Sequence, residues 1–374
     1  MPLTATLDAL ILSSTSKPNG IPGLSLNIVR SSQSLYTGAF GLRDPTWPDD
    51  PWTEDTVVWM ASMTKVVTAV AVLIAVERGL VGLDDDLCQT VPGLTNLIND
   101  RSQPCSSGDT PTAPKPITLR HLLTHSTGLV YSAHYPHAQA IERQPKVVGD
   151  TRGALGPFWF EPSEEWHYGM GVDCAAVALE ELTGQNLGDF MAEHLFLPLG
   201  MDSTSFDLTP SMIQRKASPY TRLPNGNVVP NASEYWRFEV TQSSGGGGLW
   251  STAKDYGRFF QMILRGGTAE DGTRIIGQET LRMGMRGQLK EREKESINKM
   301  HRKDHSLLGM VFDEDLPTGR SKGTVQWDGS SSCYWWIDRE KDVALALCTQ
   351  ITPSDDPEVQ KLLKEVDVEL YKSL

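Results

Sequence analysis

Near the N-terminus, apolar and polar residues alternate with the period of a strand. Leu24, Leu26 and Ile28 share one face, after the turn signal Asn19-Gly20-Ile21-Pro22-Gly23. A second strand is predicted over Ser34–Phe40, with Gly38 and Gly41 as punctuation, so a hairpin follows. From Ser62 to Arg78 there is neither Gly nor Pro, and apolar residues crowd the segment. That predicts a buried helix stopped by Gly79. Ser102–Pro116 holds four prolines among small polar residues and reads as a loop. Helical patterns recur at Leu119–Thr124, Val172–Leu182 and Leu187–Phe196, and Tyr220–Tyr235 reads as irregular. Thr252-Ala253-Lys254-Asp255 predicts a capping box for a helix through Arg265. Gln288–His305 is rich in charge and poor in apolar residues, the texture of a solvated helix or loop. Strand patterns return at Gly323–Trp327, Cys333–Asp338 and Val343–Gln350, before a helix from Pro357 to Tyr371. Strands at both chain ends and helices between them predict an α/β (α+β) fold: a sheet built from the two termini, with a helical insertion.

Composition narrows the function classes. With 374 residues the chain has room for one large domain or two interlocked ones. Acidic residues exceed basic ones by 47 to 34, a formal charge of −13. Such a surface repels phosphate backbones, so nucleic acid is not an expected partner. The most apolar run, Val66–Val76, is too short for a bilayer span, so no membrane partner is expected. The first residues lack a basic stretch and a long apolar core, and do not read as a signal peptide. Cys88, Cys105, Cys174, Cys333 and Cys348 are an odd number without metal-ligand spacing. They read as reduced thiols, and the expected location is cytoplasmic.

The most informative tetrapeptide is Ser62-Met63-Thr64-Lys65. Three-residue spacing at a helix start puts Ser62 and Lys65 on one face. A serine hydroxyl is a weak nucleophile until a neighbouring base takes its proton. A buried lysine can serve, and the helix N-terminus adds positive potential near a developing oxyanion. The pattern is short and chance produces it often, so taken alone it fits an N-capping serine before a surface lysine better. Position favours chemistry: Val66, Val67, Val70 and Val72 flank the lysine, and a lysine that opens a buried helix needs a reason.

Longer motifs carry a family resemblance. Trp59-Met60-Ala61-Ser62-Met63-Thr64-Lys65, then Glu77-Arg78-Gly79-Leu80 and Leu83-Asp84-Asp85, resemble the first motif block of the serine β-lactamase and penicillin-binding superfamily. Ile117-Thr118-Leu119-Arg120-His121-Leu122-Leu123-Thr124-His125-Ser126-Thr127-Gly128-Leu129 and Leu197-Pro198-Leu199-Gly200-Met201 resemble its class C branch and esterase relatives. The resemblance runs from about Ile21 to the C-terminus. It implies a class C β-lactamase-like fold with the active site between two domains. Their expected limits are 1–84 with 236–374 for the sheet domain and 85–235 for the helical one.

The resemblance also assigns roles. Glu165-Trp166-His167-Tyr168-Gly169-Met170 stands where the family has Tyr-x-Asn. Tyr168 fits the tyrosine between serine and leaving group, while Met170 replaces the asparagine and removes a contact to a substrate amide. Trp327-Asp328-Gly329 stands where Lys-Thr-Gly would be, and Ser330 follows. Backbone N–H groups of Ser62 and Ser330 are then the expected oxyanion hole, each donor contributing roughly 3–4 kcal/mol. Trp327 cannot pair with a substrate carboxylate and Asp328 would repel one, which disfavours β-lactams and peptide termini. Trp327, Asp328, Gly329 and Met170 are the expected substrate-binding residues. An aromatic-x-Gly motif resembles the esterases and the lovastatin-type acyltransferases of fungal polyketide pathways. Glu165-Trp166-x-Tyr168-Gly169 and Trp336-Ile337-Asp338 resemble the acyltransferases most.

Other candidates yield less. His121 and His125 have a spacing two zinc ligands can share, but no Glu follows His121 as a metalloprotease pattern requires. Gly245–Gly248 lacks the Gly-Lys-Ser/Thr of a phosphate loop and fits close backbone packing beside the site. Trp335 and Trp336 must point to opposite faces of a strand, so at least one belongs to the core. His167 is either a tuner of Tyr168 or a surface residue. The expected protein is a serine acyltransferase or esterase with Ser62, Lys65 and Tyr168 as catalytic residues, and without metal or cofactor. Its substrate is expected to be a neutral small-molecule acyl ester or thioester, free or carrier-bound. The rival readings are a plain carboxylesterase, a β-lactamase or peptidase, and a non-catalytic binding protein.

Overall fold

The computed structural model describes residues 2–91, 115–131, 159–231, 243–298 and 304–374. Residues 102–114 of the proline-rich stretch, 232–235 and 299–303 lie outside these. The strands that matter below are β1 (Gly23–Val29), β2 (Ser34–Gly41), β3 (Val58–Trp59), β4 (Tyr220–Arg222), β5 (Val228–Pro230) and β6 (Trp250–Ser251). They continue as β7 (Asp304–His305), β8 (Met310–Val311), β9 (Val325–Gly329), β10 (Cys333–Asp338), β11 (Val343–Thr349) and β12 (Ile351–Thr352). The helices that matter below are α1 (Leu3–Thr15), α2 (Thr64–Glu77), α3 (Leu119–Leu123), α4 (Gly171–Thr183), α5 (Ala253–Leu264), α6 (Glu291–Asn298) and α7 (Pro357–Ser373).

Seven strands form an antiparallel sheet in the order β2-β1-β11-β10-β9-β8-β7. The two chain ends meet in its middle, where Leu24 lies opposite Thr349 and Ile28 opposite Leu345. Period-2 alternation divides the side chains between two cores. Leu24, Leu26, Ile28, Leu345, Leu347 and Trp336 pack with Leu7 and Ile11 of α1 and Val359, Leu362 and Val366 of α7. Val29, Ala344, Ala346, Trp335 and Trp327 face the other way, into the core shared with α2, α4 and α5. Both Trp335 and Trp336 are therefore core residues, each 1% exposed. Trp335 packs against Phe260 of α5, 5.6 Å between rings.

Helix α2 is buried from Thr64 through Ala75, as its unbroken apolar texture predicts. Thr252 caps α5 by accepting from the Asp255 N–H at 3.1 Å. The Asp255 carboxylate turns instead to the Ser203 N–H and the Thr204 hydroxyl, so only half of a capping box forms.

Three segments depart from the sequence reading. Helix α1 was not anticipated. Leu3, Leu7 and Ile11 recur every fourth residue, but small polar residues and the absence of a side-chain cap weaken the signal. Tyr220–Tyr235 is not wholly irregular. β4 and β5 pair with each other, and β4 pairs in parallel with β12, so this part docks beside the end of the sheet. Gln288–His305 holds a helix, α6, that is only partly solvated, since Glu293 and Ile297 are buried. Glu293 accepts from the Ser163 hydroxyl at 3.0 Å and from the Lys290 N–H at 2.6 Å.

Candidate active site

Ser62 lies in a tight 3₁₀ turn, Ala61–Met63, immediately before α2. Ala61 is held at φ +46, in the left-handed region that a residue with a Cβ avoids. The turn is fixed from both sides. The Met60 N–H donates to the Leu249 carbonyl at 2.9 Å, and the Leu249 N–H donates to the Thr64 hydroxyl at 3.1 Å. Strained backbone locked by its neighbours is a common way to present a nucleophile.

Lys65, 5% exposed, sits in the first turn of α2. Its ammonium has three oxygen acceptors: Ser62 Oγ at 3.2 Å, the Gly246 carbonyl at 2.6 Å and Tyr131 Oη at 3.3 Å. The Tyr168 hydroxyl meets Ser62 Oγ at 2.6 Å, and Lys65 Nζ lies 4.9 Å from the Tyr168 ring centre. Ser62, Lys65 and Tyr168 thus come together, although 103 residues separate the lysine from the tyrosine in the chain.

The four-glycine segment packs as the sequence suggests. A Cβ on Gly245 would come within 2.5 Å of the Ala176 methyl, and one on Gly246 within 2.0 Å of the Asp173 carboxylate. Lacking side chains, the segment approaches α2 and α4 closely enough for the Gly246 carbonyl to reach Lys65 and the Gly245 carbonyl to reach Thr68.

One wall is aromatic. Tyr168 lies 5.0 Å from Trp327, 5.2 Å from Tyr131 and 4.8 Å from His125, centre to centre. His125 packs in turn against His305 at 5.2 Å and accepts from the Gly169 N–H at 3.4 Å, so it serves as scaffold. His121 is a separate, half-buried group whose pKa burial pushes down. His167 turns to Glu165 at 2.7 Å.

Strand β9 brings the third motif to the serine. A Cβ on Gly329 would come within 2.5 Å of the Met60 carbonyl, so the strand end lies against the serine turn. The Ser331 hydroxyl donates to the Trp59 carbonyl at 2.9 Å and clamps the turn that begins at Ser330. Trp327 is buried on the face of Tyr168. Asp328 departs from expectation. It pairs with Tyr334 across the strands and rises on that residue's face, opposite Trp327. Alternation therefore removes it from the aromatic wall. Met170 stands at the N-cap of α4, one turn before Asp173.

Two polar residues of the site escaped the sequence reading. Tyr131 accepts from Lys65 and donates to Asp173 Oδ2 at 3.2 Å. Asp173, 4% exposed, also accepts at Oδ1 from the Ser244 hydroxyl at 2.7 Å and the Gly246 N–H at 2.9 Å. Burial, followed by the negative charge of Asp173, pushes the Tyr131 phenol well above its ordinary range. The available signals were Tyr131 two residues beyond the Ile117–Leu129 motif and a lone acidic residue in the apolar start of α4.

A serine in a strained turn, a buried lysine beside it and a tyrosine on its hydroxyl, where a sheet meets helices, define a serine acyl-transfer enzyme. The chain belongs to the Beta-lactamase family, which it matches over residues 11–368. It is 27% identical to the monacolin J acid methylbutanoyltransferase of Aspergillus terreus over 98% of this chain and 97% of that one. It is 29% identical to the lovastatin esterase of Penicillium rubens over 77% and 78%. Unliganded simvastatin synthase (LovD) of Aspergillus terreus superposes with a TM-score of 0.85 at 26% identity, covering 99% of this chain and 98% of that one. EstCE1, a hydrolase with promiscuous acyltransferase activity, has the same fold, with a TM-score of 0.79 and 20% identity over 99% and 98%. The protein is an acyltransferase or esterase with a β-lactamase-like fold. Among the described residues, no helix is long and apolar enough to cross a membrane.

Proposed function

We propose that Ser62 is the nucleophile and that Lys65 and Tyr168 share its acid–base work. The observation that carries this is the convergence of Lys65 Nζ and the Tyr168 hydroxyl on Ser62 Oγ, at 3.2 and 2.6 Å. Ser62 Oγ attacks the carbonyl of a neutral acyl ester or thioester, and its proton passes to the Lys65–Tyr168 pair. The tetrahedral oxyanion is held by the backbone N–H groups of Ser62 and Ser330, a role supported by the packing of Gly329 on the serine turn. Collapse expels the alcohol or thiol, which regains a proton from the pair, and leaves an acyl-enzyme. An alcohol or water then attacks, and the same groups work in reverse.

Substrate preference follows from Trp327. An indole in place of a lysine gives a carboxylate no cation to pair with, and its apolar face suits an acyl chain. Gly329 and Met170 would complete the acyl pocket. Asp328 contributes at most at a distance. We further propose that the acceptor is a hydroxylated small molecule of secondary metabolism, that the donor is free or carrier-bound, and that the enzyme works in the cytoplasm. The names of the fungal transferases support the first point. The test is product analysis with a neutral acyl thioester and a competing alcohol. Formation of the new ester, lost in Ser62→Ala, is expected. Turnover that survives Ser62→Ala would reject the assignment.

A further inference from the structure

The chain Lys65–Tyr131–Asp173 ties the lysine to two residues that the acyl-transfer steps leave unused. Lys65 donates to Tyr131 at 3.3 Å, and Tyr131 donates to Asp173 at 3.2 Å. Every bond along it runs in the same sense, away from the nucleophile. Resting on the assignment of Ser62 as nucleophile, we propose that Tyr131 and Asp173 are positioning residues. They hold Lys65 between Ser62 and the Gly246 carbonyl and set the pH at which the serine is activated.

Three further observations support this. Asp173 organises both sides of the lysine, because the Oδ1 atom that receives Ser244 also receives the N–H of Gly246, whose carbonyl holds Lys65. The fit is tight, since a Cβ at Gly246 would strike that carboxylate. Tyr131 is suited to a fixed role. Burial and then Asp173 favour its protonated form, so its proton stays available to the carboxylate. Of the two tyrosines near Lys65, Tyr131 is thus the anchor, and Tyr168 is the one that touches the nucleophile.

The sign of the pH effect follows from the charges around the lysine. Among the described residues, the titratable groups about it are Tyr131 from the segment after α3, Tyr168 from the segment before α4, and Asp173 and Cys174 from α4 itself. His125 lies behind Tyr168. Burial, and then Asp173, pushes Cys174 up, so it stays a neutral thiol, and Asp173 brings a carboxyl group to the site. A nearby negative charge favours the protonated form of a base beside it. Removing it makes the base available at lower pH.

The experiment is the rate of Ser62 labelling by a fluorophosphonate across pH, in the full chain, for wild type, Asp173→Asn and Tyr131→Phe. Asparagine keeps an oxygen for Ser244 and Gly246 while losing the charge. For Asp173→Asn the acidic limb should move down by about one unit. For Tyr131→Phe the labelling rate should fall, and kcat with a neutral ester should drop roughly 10²-fold with KM little changed. A purely structural role would lower Tm and the labelled fraction but leave the limb in place, and that result overturns the proposal. Should Asp173→Asn fail to fold, Tyr131→Phe decides: labelling at the wild-type rate refutes it. Ser62→Ala separates the two levels. If it labels like wild type, the assignment of the nucleophile fails; if it does not label while both variants behave as wild type, only this inference fails.

Discussion

At the residue scale the site works through contacts of about one hydrogen bond each. Lys65 and Tyr168 both end on Ser62 Oγ, so each should carry part of one proton path. Lys65→Ala and Tyr168→Phe are each expected to lower kcat by roughly 10²–10⁴ without loss of fold. Their double variant should fall well short of the product, because groups that act as a unit are not additive. Multiplicative losses in steady-state kinetics would show that they work independently. Specificity is separable too. Trp327→Lys should improve the kcat/KM of anionic relative to neutral p-nitrophenyl esters, whereas Asp328→Asn, on the other face of β9, should change the ratio less. The reverse ranking would place Asp328 in the pocket after all. Ser62, Lys65 and Tyr168 were legible because each lies in a motif with fixed local spacing. Tyr131 and Asp173 were not, because nothing local ties them to a lysine more than sixty residues away. The direction of Asp328 was not legible, because the motif names a position but not the face of the strand.

At the element scale, periodicity carried most of the fold. Leu24, Leu26 and Ile28 were readable as one face, and they do meet α1 and α7. Helix α2 was readable from its unbroken apolar run. Helix α1 was not, because a marginal helix without a cap gains its stability from what it docks against. That docking makes a prediction. Ile11, fully buried against α7 and the sheet, should cost about 2–5 kcal/mol when cut to alanine, measured by urea unfolding. Because α1 lies on the face of the sheet away from Ser62, the fluorophosphonate labelling rate of the folded variant should not change. A slower rate would mean that α1 reaches the site. The short strands β4 and β5 were hidden by their Pro, Gly and Asn content, which belongs to the turn between them.

At the scale of the whole molecule, the sheet closes only when the C-terminal strands meet the N-terminal ones, and the site forms where the helical middle rests on that sheet. Asp44 ties two distant parts together. It accepts from the Ser218 and Tyr220 hydroxyls, at 2.8 and 2.9 Å, and from Thr46. Burial alone would raise its pKa, but these hydrogen bonds outweigh it and bring the carboxylate from 3.8 down to about 2. A depressed pKa contributes stability that is present above 3.8 and lost as pH falls toward 2. Asp44→Asn should therefore lower stability at neutral pH and flatten the pH dependence in that window. Unchanged acid unfolding curves would show that the bonds carry no net stability. The class of the molecule was legible because several motifs occur in order along the whole chain, while the pairing of its ends could only be inferred from where the strands fall.

The central claim is that Ser62 carries the acyl group between donor and acceptor. The most direct test is mass spectrometry of the intact protein, followed by peptide mapping, after brief exposure to a neutral acyl thioester. The expected result is a gain of one acyl mass, mapped to the peptide containing Ser62, absent in Ser62→Ala and discharged when an alcohol is added. An adduct on another residue, or one that persists in Ser62→Ala, would contradict the account.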